Sequence, residues 1–150
     1  MKYVFFSVLL ILFISNGVTA QDCFEFYQTE CVSPPSKFTY TINPASCSFK
    51  LKPGNQELIS FVFDDEKDYR ILICAAPVFN NVIQFDIFNE HNNMLYSNKD
   101  NDFSLQVEFS SMKSQAVSFV VTVPDMEYFS DSSGCVGILI EEMNSIKIGF

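Results

Sequence analysis

Short apolar runs that alternate strictly with polar residues recur along this chain, and a period of two can only be buried by a β-strand that packs one face. In Phe103 to Phe109, residues Phe103, Leu105, Val107 and Phe109 alternate with Ser104, Gln106 and Glu108. Ile83, Phe85 and Ile87 repeat the pattern, as do Val117, Phe119, Val121 and Val123, although Val120 breaks it on the polar side. Tyr69 to Ala76, interrupted by Arg70, and Val136 to Ile140 are more continuously apolar, which predicts central strands covered on both faces. Adding Phe38 to Ile42, Ser46 to Leu51, Glu57 to Phe63 and Met94 to Ser97 makes about nine strands, with no helical periodicity long enough to propose a helix. Turn chemistry separates them at Lys52-Pro53-Gly54-Asn55, Asn89 to Asn93, Asn98 to Asp102 and Ser110 to Ser114. The fold predicted is all-β, a single sandwich of jelly-roll type.

Met1 to Ala20 reads as a secretory signal peptide: Lys2 is the charged end, Val4 to Ile14 the apolar stretch and Val18-Thr19-Ala20 the cleavage site. That run is too short to span a bilayer, and Gln21 and Asp22 precede Cys23, so no membrane or lipid anchor is expected. The organisation expected is a signal at 1–20, an irregular leader at 21–36, the sandwich at 37–142 and a tail at 143–150. The formal charge of −9 becomes −10 once Lys2 leaves with the signal. Such a surface repels phosphate backbones and anionic lipid, so nucleic acid is an unsuitable partner. The product is expected in the periplasm or outside the cell.

All five cysteines follow the signal, in an oxidising compartment. Cys23 and Cys31 are closest in sequence, and a bridge between them would staple the leader to itself. Cys74 lies in the first of the two apolar runs and Cys135 directly at the start of the second, where neighbouring strands could bring them together. Cys47 is then the odd thiol, read as a small buried hydrophobe. Thiolate metal binding fits poorly, because there is no CxxC and His91 is the only imidazole.

A hydrolytic triad would have to use His91, which sits in the polar turn Asn89-Glu90-His91-Asn92-Asn93 and reads as solvated. A glycosidase pair cannot be picked from eighteen acids. Calcium is the cofactor worth weighing, through Asp64-Asp65-Glu66 with Asp68, through Asp125 to Asp131, or first through Asn98, Asp100 and Asp102, whose donors are dense and join two strands. Arg70, the only arginine, is expected in a structural ion pair or a fork onto loop carbonyls. Tyr27, Tyr40, Tyr96 and Tyr128 could stack on sugars, and Tyr128 with Phe129 lies in the longest loop, where ligand contacts tend to be displayed.

The order of Lys52-Pro53-Gly54-Asn55-Gln56, Asp68-Tyr69-Arg70-Ile71, Gln84-Phe85-Asp86-Ile87, Leu95-Tyr96-Ser97-Asn98 and Gly134-Cys135-Val136-Gly137-Ile138-Leu139-Ile140-Glu141 resembles a group of small secreted bacterial proteins of unknown function. More distantly it is similar to the jelly-roll domains C-terminal to secreted bacterial peptidases. The resemblance spans roughly Phe49 to Glu142 and implies a non-catalytic accessory module. With no peptidase ahead of it here, a free-standing role is expected. The functional expectation is a secreted non-enzymatic module that binds a protein or a glycan, or is structural. Its rivals are a calcium-dependent carbohydrate or adhesion module and a secreted hydrolase.

Overall fold

The computed structural model describes residues 23–125 and 132–146. The signal at 1–20 and the pair Tyr128 and Phe129 lie outside them. A five-residue helix, α1 (Phe26–Glu30), is followed by nine strands: β1 (Thr41–Ile42), β2 (Cys47–Leu51), β3 (Gln56–Phe63), β4 (Lys67–Ala75), β5 (Gln84–Asn89), β6 (Met94–Ser97), β7 (Gln106–Ser111), β8 (Gln115–Thr122) and β9 (Gly134–Asn144). They form two antiparallel sheets. One runs β1-β9-β4-β7 with β2 also paired to β9, and the other runs β3-β8-β5-β6. Only β1–β2 and β5–β6 are consecutive strands within one sheet, so sequence neighbours are mostly packing partners across the sandwich rather than ladder partners.

The alternating residues meet between the sheets. Ile71 and Ile73 of β4 and Val136, Ile138 and Ile140 of β9 face Phe61 and Phe63 of β3, Phe85 and Ile87 of β5, and Val117, Phe119 and Val121 of β8, all buried. Aromatic rings fill one end: Phe63 meets Phe109 edge-on at 4.6 Å and tilts against Tyr69 at 4.9 Å, while Phe61 stacks on Phe119 at 5.4 Å. Such pairs add about 0.5–1.5 kcal/mol each beyond the area they bury. Tyr69 is fully buried, and its hydroxyl oxygen accepts a hydrogen bond from the Asp64 backbone N–H at 2.9 Å, which pins the β3–β4 turn.

Two expectations are corrected here. β7 begins at Gln106 rather than Phe103, because Asp102 and Phe103 both adopt left-handed backbone (φ 48° and 54°) that no ladder accommodates. The turn expected before it is present, with Asn98–Asn101 forming a 3-10 helix. The leader is tied to the sheet rather than to itself, since the disulfides are Cys23–Cys135 and Cys31–Cys74. β4 and β9 are indeed neighbours, but their register sets Cys74 opposite Gly137, two residues beyond Cys135. The thiols of Cys74 and Cys135 therefore face the same way without being directly paired, and each is met by a cysteine of the leader.

Candidate binding surface

The two outer faces of the sandwich differ in what covers them. On the five-stranded sheet, Leu72 and Leu139 are buried although they point away from the central core, because the leader lies over them. Cys31 packs on this pair and Phe26 of α1 packs beside Cys135 and Ala76. The Tyr27 backbone N–H donates to Ser48 Oγ of β2 at 2.7 Å. Gly137 is required by this closeness: a Cβ there would sit 2.8 Å from Cys74 Sγ and 2.9 Å from Tyr27 Cα.

Arg70 continues the clasp. Its Nε donates to Glu141 Oε2 at 2.6 Å, directly across the β4–β9 ladder, with both side chains buried. The other Glu141 oxygen accepts from Ser33 Oγ at 2.7 Å, and Arg70 Nη1 reaches the Pro34 carbonyl at 3.3 Å. The guanidinium carbon lies 4.4 Å from the centre of the Tyr40 ring, so the fork, the ion pair and the stacking all hold the leader down. This agrees with the structural part expected of the single arginine.

The four-stranded sheet has no such cover among the described residues. Register places Leu58 beside Val120, Val62 beside Ala116, and Ser60, Ser118, Phe88 and Met94 in one row on its outer face. Leu58, Val62 and Met94 are each more than half exposed. No Lys or Arg side chain occupies these outward positions. Asp86, the one charge on these strand positions, is buried and accepts from Ser97 Oγ at 2.6 Å and Gln84 Nε2 at 2.5 Å, while the exposed Glu90 just past β5 borders Val62, Ala116 and Ser118. β3 is moreover the edge of that sheet, eight residues long and carrying one charged side chain, Glu57. Natural edges are usually short or studded with charge, and this one is long, with a single charge, beside a largely apolar face.

The remaining sequence candidates divide. Asn98 is fully buried, its amide nitrogen donating to the Ile83 and Ser104 carbonyls at 2.8 and 3.2 Å and its side-chain oxygen accepting from the Phe85 N–H at 2.8 Å. It is a structural amide joining β5 to the 3-10 turn, and the oxygen expected for calcium is already engaged. Asp100 and Asp102 are exposed on the rim beyond it. His91 is exposed in its turn, its backbone N–H donating to Asn89 Oδ1. Cys47 is unpaired and half-buried, and burial, followed by the Glu57 carboxylate, pushes its thiol up, away from reactive thiolate. Tyr27 and Tyr40 are absorbed by the clasp. The outer face of the four-stranded sheet was missed in sequence, although Val120, breaking the alternation of β8, was its signal.

No protein-family model and no curated protein sequence matches this chain. Among solved structures it is similar to PliG of Aeromonas hydrophila, a periplasmic lysozyme inhibitor of g-type lysozyme, with a TM-score of 0.50 at 8% identity over 75% of this chain and 93% of that one. A likeness at that identity shows a shared fold. No helix among the described residues is long and apolar enough to cross a membrane.

Proposed function

We propose that the exported chain is a non-enzymatic binding module whose partner is another protein, docked on the outer face and β3 edge of the four-stranded sheet. The observation that carries this reading is the contrast between the two faces: one is clamped under a twice-bridged leader, while the other leaves Leu58, Val62 and Met94 more than half exposed, with Val120 and Phe88 partly buried between them. Burying such a patch is worth roughly 25 cal/mol per Å² of apolar area, whereas leaving it in water brings no gain. The fold shared with an inhibitor of g-type lysozyme supports a protein partner and makes a g-type lysozyme the first one to try. The strong negative charge favours a partner with a basic surface.

The test compares immobilised mature protein with its Val62→Asp/Val120→Asp variant as baits for envelope and medium proteins of the producing cell and for purified g-type lysozyme. The expected result is a protein retained by the first bait and lost from the second, with both baits melting within a few degrees of each other. Identical retention by the two baits would place the contact elsewhere, and no specific retention by either would remove the reading.

A further inference from the structure

The sandwich is open along one side, where β6 ends one sheet and β7 ends the other. Between these edges a slot of about 470 Å³ runs inward, a volume in the range of sites for small organic molecules. Phe63, Ile87 and Tyr96 line it from one sheet, Val107 and Phe109 from the other, and Leu95 stands at the mouth. Phe63 and Ile87 are core residues, so the floor of the slot is the hydrophobic interior itself. Leu95 reaches the mouth because the β5–β6 register shifts there: Ile87 pairs with Tyr96 and Phe88 with Met94, which leaves Leu95 as an extra, half-exposed residue.

One atom in this lining does not fit a simple core. The Tyr96 hydroxyl is buried and has no hydrogen-bond partner among the described residues. Buried hydroxyls are nearly always bonded, because losing water without replacement is unfavourable. The slot thus offers mostly hydrocarbon walls, with Gln115 and Ser110 also in its lining and the Tyr96 hydroxyl as its one buried polar atom without a partner among the described residues. The chain carries a net charge of −9, which disfavours an anionic head group.

We infer that the β6–β7 slot binds a small, neutral, largely apolar molecule carrying one hydrogen-bonding oxygen or nitrogen, which the Tyr96 hydroxyl engages. The site is separate from the docking face, whose residues point away from the core, so either assignment can stand without the other.

The experiment titrates the mature protein with N-phenyl-1-naphthylamine, a neutral probe that brightens in apolar surroundings, and then displaces it with 1-decanol or decanoate at pH 7.5. Saturable one-to-one binding is expected, with decanol displacing the probe at least 10-fold better than decanoate. Val107→Arg, which places a charge in the slot, should weaken the probe at least 10-fold; Leu95→Arg at the exposed mouth serves the same purpose should the buried change unfold the protein. Val62→Asp/Val120→Asp should leave the titration unchanged. Tyr96→Phe should melt no lower than wild type and bind decanol about 2- to 10-fold more weakly, the effect of one hydrogen bond. Absence of saturable binding, insensitivity to both arginine variants, equal competition by alcohol and acid, or unaltered decanol affinity in Tyr96→Phe would each overturn the inference.

Discussion

At the scale of single residues, the buried Arg70–Glu141 pair and the Lys67–Glu142 pair beside it make opposite predictions. Arg70 and Glu141 are nearly out of solvent and saturate one another and the leader, so removing one partner leaves a buried charge. Arg70→Met should therefore cost about 3–5 kcal/mol, while Arg70→Met with Glu141→Leu should recover much of that, as measured by urea unfolding of all three variants. Lys67 lies nearer solvent, 2.5 Å from Glu142. Burial pushes the Glu142 carboxyl up, but hydrogen bonds from Lys67 and Asn43 outweigh it and hold the group below the usual carboxylate range. A group so lowered stabilises the fold above its unfolded pKa and loses that contribution as the pH falls through its folded one. Lys67 is raised, chiefly by its hydrogen bond to Glu142, so its contribution is complete below the unfolded pKa and is lost only at strongly alkaline pH. Wild type should therefore be more stable than Glu142→Gln at pH 7, and the gap should shrink between about pH 5 and pH 3. A gap that stays constant over that range would mean that the pair contributes no pH-dependent stability.

Elements bring in the leader, which behaves as part of the sandwich. Cys31–Cys74 closes 43 residues and Cys23–Cys135 closes 112, which in the chain-entropy model corresponds to about 4 and about 5 kcal/mol taken singly. Replacing Cys31 and Cys74 by Ser should lower the melting temperature and also free the segment over Leu72 and Leu139. Limited trypsin digestion at Lys37, an exposed residue directly after the leader, reports the second effect and should accelerate well before the core is cut. Gly137→Ala tests the same contact from beneath: its methyl meets backbone as well as sulfur, so a loss of about 1–3 kcal/mol is expected even with both bridges intact. The strands themselves were legible because alternation is a local signal, and each of the nine has its expected counterpart within a few residues. Disulfide connectivity was not, because it depends on which strands are neighbours and in what register. Nothing in the residues around Cys74 says that Gly137 lies opposite it. The pattern did hold a clue: strands as continuously apolar as β4 and β9 need a second cover, and the leader, with its two cysteines and Phe26, was available to supply it. Asn98 was illegible for a related reason, since its partners Ile83, Phe85 and Ser104 are assembled only by the fold.

For the whole molecule, charge and apolar surface are divided between different jobs. The acidic surplus lies mostly on loops, rims and the clasped sheet, whereas the outward strand positions of the four-stranded sheet carry the buried Asp86, with Glu90 at their border. Long-range steering of a basic partner then comes from the molecule as a whole, and retention comes from the face. Steering acts on association and is screened over about 8 Å at physiological ionic strength, whereas apolar contact acts on dissociation and is nearly indifferent to moderate salt. With a captured partner in hand, surface plasmon resonance between about 20 and 300 mM salt should show the association rate falling steeply and the dissociation rate nearly constant. Val62→Asp/Val120→Asp should raise the dissociation rate at every salt concentration. Glu and Asp to Gln and Asn changes on exposed rims, such as Asp100 and Asp102, should flatten the salt dependence of association and leave dissociation alone. Were the aspartate pair at Val62 and Val120 to change only the association rate, the apolar face would be part of the encounter rather than the seat of the complex, and the docking surface would have to be sought on the clasped sheet instead.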